Sequence, residues 1–179
     1  MFDNLREDWR THDRDPWRQG VWALAVYRFG RWRYGVRPGL LRRPLSFVYK
    51  CLKIAVQAGT GIDIPCETRI GRRLTIEHFG GIIVSGDSVI GDDVVLRNGV
   101  TIGLKRTGIP GAPVIGNRVD IGAGAKILGP IRIGDDAVIG ANAVVLVDVP
   151  AGALAVGVPA VVKSRRAASG RLSLRVSHG

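Results

Sequence analysis

An aliphatic side chain returns at every sixth position through most of this chain, and that period leaves few folds open. The run starts as Ile64, Ile70, Ile76 and Ile82. It slips by two across Ser85–Gly86 and continues as Val84, Ile90, Leu96 and Ile102. After an interruption it resumes as Ile115, Ile121, Ile127, Ile133, Ile139 and Val145. A period of six fits neither the turn of an α-helix nor the alternation of a half-buried strand. It fits a parallel β-helix, in which each hexapeptide makes one short strand and one corner. The anchors then point inward and stack from coil to coil. Glycine often follows the anchor, as at Gly71, Gly91, Gly116 and Gly134, within runs such as "GDD" and "GNR". These residues are expected to supply tight or left-handed backbone at the corners. Three hexapeptides close one triangular coil of about 18 residues, so 64–162 holds about five coils.

The interruption between Ile102 and Ile115 reads "GLKRTGIPGAPV". A stacked coil accepts such an insertion only as an external loop, here 104–113, thrown out from a corner. Residues 1–57 leave the six-residue frame. "GVWALAVYRFGRWRYG" spaces Val21, Leu24, Tyr27 and Trp32 at helical intervals. "RPLSFVYKCLKIAVQ" reads as a second helix, with Leu45, Val48, Leu52 and Ile54 on a ragged apolar face. A helical segment at 1–57 would cover the open end of a β-helix domain at 58–162. A basic tail follows at 163–179.

The net charge of +11 sits at the two ends: +7 in residues 1–57, −1 in 58–162 and +5 in 163–179. Basic ends suit an anionic ligand, a membrane surface or nucleic acid. Nucleic acid is disfavoured, because no zinc-finger spacing, helix-turn-helix or basic-plus-aromatic single-strand motif occurs. Cys51 and Cys66 form no CxxC motif and read as free thiols of a reducing cytoplasm. The start is charged from Asp3, unlike a signal peptide, and no long apolar run spans a bilayer, so a soluble cytoplasmic protein is expected.

The dinucleotide, P-loop and nucleophile-elbow motifs are missing. The β-helix holds a single histidine, too few for a zinc site, so no metal is expected. That histidine, His78 in "TIEHFGG", stands beside Glu77 in a repetitive, mostly uncharged segment. One imidazole oriented by one carboxylate is the minimum for general-base work on an alcohol attacking an acyl donor. Asp63 in "GIDIP" is the candidate partner. It precedes the anchor Ile64, and one eighteen-residue coil later lies Gly81, three residues beyond His78. A non-catalytic β-helix scaffold is the competing reading.

The stretch "GIDIPCETRIGRRLTIEHFGGIIVSG", with "GVTIG", "IGAGAKILGPIRIGDDAVIGANAVVL" and "VPAGALAVGVPA", resembles the serine acetyltransferases, which are hexapeptide-repeat acyltransferases. "LREDW", "DRDP" and "VWALAVYRFGRWRY" resemble the end of that family's helical domain, so the likeness covers roughly residues 4–163. It implies a left-handed parallel β-helix with an N-terminal α-helical cap, and acetyl transfer from acetyl-CoA to a hydroxyl. It places the general base on His78, its orienting aspartate on Asp63 and the preceding carboxylate on Glu77. Asp15 of the "DP" pair would hold the acceptor's amino group. Coenzyme A would lie in a groove between neighbouring β-helices, against Gly103, Ala123 and Ala141, with Lys163 near a phosphate. A homotrimer, or a dimer of trimers, is implied. Two departures stand out. Gly111 and Ala112 precede Pro113 where the family carries an Arg-His pair for serine's carboxylate, and Gly86 replaces a glutamate. Lys105 or Arg106 is left to substitute, or else the acceptor is a saccharide, as in related enzymes of exopolysaccharide pathways. The basic N-terminus also permits a peripheral membrane contact.

Overall fold

The computed structural model describes residues 2–37, 39–106, 108 and 111–164, and most of the basic tail lies outside them. Three helices come first: α1 (Phe2–Thr11), α2 (Gln19–Arg33) and α3 (Gly39–Thr60). The rest winds as a three-sided parallel β-helix. Its first coil is β1 (Ile62–Asp63), β2 (Arg69–Ile70) and β3 (Thr75–Ile76). The second is β4 (Ile82–Val84), β5 (Val89–Ile90) and β6 (Val95–Leu96). The third is β7 (Thr101–Gly103), β8 (Val114–Ile115) and β9 (Asp120–Ile121). The fourth is β10 (Lys126–Leu128), β11 (Arg132–Ile133) and β12 (Val138–Ile139). A last coil uses β13 (Val144–Val145), a bridge at Val149 and β14 (Leu154–Val156). Then β15 (Val161–Lys163) folds back antiparallel on β14 and covers the far edge of one face.

The anchors stack as the period requires. Val84, Ile102, Ile127 and Val145 form one column, on the face that starts with β1. Ile70, Ile90, Ile115 and Ile133 form the column of the β2 face. Ile76, Leu96, Ile121, Ile139 and Ala155 form that of the β3 face. All but Ile70 are buried, so one continuous aliphatic rod is the core. Two expectations need correction. The two extra residues lie not at Ser85–Gly86 but earlier, in the corner between Ile76 and Val84. Asp63 already pairs with Ile83, and Ile62 with Ile82, so the slip precedes β4. The glycines after the anchors are also not there for left-handed backbone. The left-handed residues come two positions later, at Arg73, Asp93, Arg118 and Asp136. Gly91 and Gly116 are required by close approach: a Cβ would stand 2.7 Å from Asn117 Oδ1 and 2.4 Å from Asp135 Oδ1, respectively. Those side chains accept backbone N–H bonds from Asp92 and Asn117, one coil earlier.

The first coil has no coil before it, so the backward-pointing N–H of each face needs another acceptor. The helices supply one per face. Thr60 Oγ1 accepts from Ile62 N at 3.2 Å, Tyr27 Oη from Ile70 N at 3.1 Å, and His12 Nε2 from Ile76 N at 3.1 Å. Arg28 adds a buried bidentate pair, Nε to Asp8 Oδ2 at 2.9 Å and Nη2 to Asp8 Oδ1 at 3.3 Å. The same guanidinium donates to the Ile70 and Gly71 carbonyls at 3.2 and 2.6 Å. One side chain thus joins α1, α2 and the first coil.

The helices do not bury their apolar residues as expected. Leu24 and Tyr27 are fully packed, but Trp32 on α2 and Val48, Leu52 and Ile54 on α3 are exposed. Tyr49 and Thr60 are the buried residues of α3, the Tyr49 hydroxyl accepting from Cys66 N at 3.2 Å, and Val56 packs against the core. Both cysteines are free thiols.

Gly20 of α2 lies against this cap. A Cβ there would stand 2.7 Å from His12 Nε2 and 2.8 Å from Ile76 Cβ. Alanine would gain about 1 kcal/mol in helix propensity, but forcing a methyl into this contact costs about 1–3 kcal/mol. Gly20→Ala should therefore lower the urea midpoint; a raised midpoint would contradict the tight packing.

Candidate active site

His78 owes its display to the lengthened corner. Eight residues lead from Ile76 to Val84, whereas six lead from Leu96 to Ile102 and six from Ile121 to Ile127. The surplus bulges outward and leaves Glu77, His78 and Phe79 exposed. The turn closes with left-handed Gly80 and Gly81. Gly99 N donates to the Gly80 carbonyl at 2.8 Å, which fastens the bulge to the next coil.

Corners of this edge continue below it. Gly124 N bonds the Asn98 carbonyl and Asn142 N the Ala123 carbonyl, each at 2.8 Å. His78, Ala123 and Ala141 therefore lie along one edge, with His78 at the capped end. Coils stack about 4.8 Å apart, so Ala123 and Ala141 fall on the order of 10–15 Å along the edge from the histidine. Gly103 ends β7 on the adjoining face, paired with Leu128. Lys163, on β15, pairs with Leu154 on the β3 face and is exposed. These four positions are thus spread along the rod.

Asp63 shares the first coil with His78, but the added residues put it opposite Ile83 rather than Gly81. Among the described residues no hydrogen bond joins the two. The carboxylate faces α3 instead: Gln57 Nε2 donates to Oδ2 at 3.4 Å, and Lys53 Nζ stands 3.1 Å from Oδ1. The Lys53 contact is out of hydrogen-bond alignment, so Oδ1 is a buried acceptor without a hydrogen-bond donor. A buried carboxylate oxygen in that state has free capacity for an imidazole N–H. Asp15 lies in the turn after α1, where its Oδ1 accepts from Trp17 N at 2.9 Å.

Glu77 is held from below. Arg97 Nε contacts Glu77 Oε2 at 2.7 Å, and its Nη1 binds Asp120 on the next coil. The sequence reading missed Arg97, whose signal was a twenty-residue step from Glu77, the true length of the first coil. It also missed Lys126, which donates to the Gly99 carbonyl and, at 3.1 Å, to Thr101 Oγ1. Both bring positive charge to the edge that His78 heads. In the external loop, Gly111 is left-handed, and a Cβ there would meet Pro130 Cβ at 2.7 Å. A large side chain at that position would have to displace Pro130. Among the described residues no group of three or more His, Cys, Asp or Glu side chains is arranged to hold a metal ion.

A family model described as bacterial transferase hexapeptide (six repeats) matches residues 112–146. The serine acetyltransferase of Helicobacter pylori is 44% identical over 139 residues, which span 77% of each chain. The chain belongs to the serine acetyltransferase family. The Mycobacterium tuberculosis member is 42% identical over 146 residues, 80% of this chain and 60% of that protein. Among solved structures, serine acetyltransferase from Brucella abortus in complex with coenzyme A superposes with a TM-score of 0.78 at 30% identity, covering 91% of this chain and 67% of that one. A serine acetyltransferase in complex with cysteine gives 0.79 at 32% identity, covering 93% and 67%. The expected class, a left-handed parallel β-helix of hexapeptide repeats under an α-helical cap, is the one found.

The Arg97 pairs are half-exposed, and such pairs contribute about 0.2–1 kcal/mol each. Arg97→Met should cost about 1 kcal/mol in denaturant unfolding at low salt, and the difference should shrink at high salt. A loss of several kcal/mol, unmoved by salt, would mean that Arg97 bears the fold rather than tuning the edge.

Proposed function

We propose that this chain is an acetyl-CoA-dependent O-acetyltransferase acting on L-serine, with His78 as general base. The observation that carries the reading is the sole histidine of the β-helix, displayed on the one corner that is two residues too long, in a chain of this family. The imidazole takes the hydroxyl proton as the oxygen attacks the thioester carbonyl. The tetrahedral intermediate collapses with loss of the coenzyme A thiolate, which the imidazolium reprotonates. Asp63 orients the ring, and its Oδ1, ion-paired with Lys53 but not hydrogen-bonded, can accept the imidazole N–H. Asp15 and Glu77 are assigned to the acceptor. Gly103, Ala123, Ala141 and Lys163 are assigned to coenzyme A, and the small residues at the first three let its chain approach backbone.

In this reading residues 1–57 are the cap, 58–162 the transferase domain with its loop at 104–113, and 163–179 a basic tail. The working form is a cytoplasmic homotrimer, or a dimer of trimers, with sites in the grooves between β-helices. Gly111 and Ala112 favour a second acceptor, a saccharide hydroxyl of a polysaccharide pathway. A glycine wedged against Pro130 cannot offer a cation to serine's carboxylate, and a carboxylate bound without one is costly. Lys105, whose Cβ lies 3.4 Å from a Cβ built on Gly129, and Arg106 beside it are the nearby cations left to supply it.

Coenzyme A release should be measured with L-serine and with a set of sugars and sugar nucleotides. Serine is expected to turn over fastest; a sugar that far outruns it would move the enzyme to the second reading. His78→Ala should lower turnover roughly 10²–10⁴-fold, and a loss under about tenfold would remove His78 as the base. A membrane contact would run through α3, which has four cations, no acidic residue and exposed Leu40, Phe47 and Ile54. Among the described residues no helix is long and apolar enough to cross a bilayer. Such a contact predicts co-sedimentation with anionic vesicles that weakens as salt rises. Equal recovery with neutral vesicles would exclude an electrostatic contact.

A further inference from the structure

His12 caps one face of the first coil but lies outside every catalytic or binding role assigned above. It is completely buried and holds three segments at once. Its Nε2 meets Ile76 N at 3.1 Å. A backbone N–H can only donate, so Nε2 is the bare, accepting nitrogen and the proton is on Nδ1. That Nδ1–H donates to the Asp8 carbonyl at 2.7 Å, one turn back in α1. The His12 carbonyl accepts from Asp15 N at 3.1 Å. Ile76 is two residues before His78. One residue therefore ties the Asp15 turn to the rung that carries the histidine of the site.

The neighbourhood allows little movement. Gly20 closes over the ring from α2, with no room for a Cβ. Two left-handed residues, Asp13 and Arg14, turn the chain sharply between His12 and Asp15. The other two caps of the first coil are hydroxyls, on Thr60 and Tyr27. His12 is the one cap of the three whose side chain, unperturbed, belongs to a type that titrates near neutrality, and it caps the face that leads into the long corner.

We propose that His12 is a positioning residue of the acetyl-transfer reaction, holding the His78 rung and the Asp15 turn in one frame through its bond to Ile76 N. The inference rests on the reading of His78 and Asp15 given above. It accounts for a buried imidazole where a cap needs only an acceptor oxygen, and it couples that cap to pH. Burial pushes the His12 pKa below the ordinary histidine value. The charged groups acting on the ring are Asp8 and Asp13, which oppose that shift, and Arg18, which adds to it. Asp8 is itself bound by Arg28, and β3 presents the backbone of Ile76. The neutral form is the one that fits. Its contribution is complete above the ordinary histidine range and is lost as pH falls through the lowered folded value. A proton on Nε2 would face the Ile76 N–H donor to donor, and the rung would lose its anchor.

The test compares His12→Phe, which keeps a ring but offers no acceptor, with His12→Gln, whose amide oxygen can accept from Ile76 N without titrating. Folding is checked by circular dichroism, and kcat and KM are measured for acceptor and acetyl-CoA separately. His12→Phe should lower kcat roughly 10–100-fold, the scale of a misplaced catalytic group. It should also raise the acceptor KM and leave the acetyl-CoA KM unchanged. His12→Gln should recover most of the loss. A folded His12→Phe protein with wild-type kcat, or a Gln variant no better than Phe, overturns the proposal. If His12→Phe does not fold, the pH profile of His12→Gln decides. One titrating base gives log kcat/KM an acid limb of unit slope. The wild type should fall more steeply as His12 gains its proton, and the Gln variant should keep unit slope; equal slopes overturn the proposal. Full turnover in His78→Ala overturns the underlying reading instead. Loss in His78→Ala with full turnover in His12→Phe overturns the positioning role alone.

Discussion

A stacked β-helix must begin somewhere, and its first coil faces no preceding coil. Every inward strand there presents an N–H that water or another group has to satisfy. In this protein the helical cap answers each face with one side chain, Thr60, Tyr27 and His12. The rest of the cap serves that docking. Arg28 brings Asp8 and the Ile70–Gly71 carbonyls together, and a buried ion pair of this kind holds only because its remaining hydrogen bonds are also made. Gly20 lets α2 come close enough for His12 to reach Ile76. The cap does more than shield an edge: it sets where the first coil, and hence the His78 corner, is held.

The remaining coils are stiff for a simpler reason. Each aliphatic anchor sits directly on another, and each corner accepts hydrogen bonds from the next. A one-residue error would turn anchors to the surface, so register is enforced all along the rod. Against that uniformity the two added residues between Ile76 and Val84 have a large local effect. They cannot be absorbed by the stack, so they leave it. The bulge they create carries out a carboxylate, an imidazole and a phenyl ring, fastened to the next coil by the Gly99 N bond to the Gly80 carbonyl.

The period-six pattern made the core legible: Ile64 through Val145 were assigned inward, and all but Ile70 are buried. His78 could be singled out as a candidate in the same way, because it is the only histidine in the repeat. Less legible was anything depending on which residues face each other across coils. An eighteen-residue coil put Asp63 opposite Gly81, whereas the longer corner puts it opposite Ile83. The same miscount hid Arg97 beneath Glu77. The role of glycine was misread for a related reason. Its need at Gly91 and Gly116 comes from the backbone and an Asn or Asp side chain one coil later, not from the glycine's own backbone conformation.

The sequence by itself determined the repeat, the inward column, the interruption between Ile102 and Ile115 and the histidine proposed as base, because each is written in local spacing or in a count of one. Only the tertiary structure decided that His12, which has no place in the repeat, closes the coil beneath His78. Only it decided that Asp63 turns toward Lys53 and Gln57, and that the apolar stripe of α3 faces outward. Those outcomes depend on which surfaces meet when a helical cap settles on an open coil, and contacts between a helix and a coil leave no periodic trace in the chain.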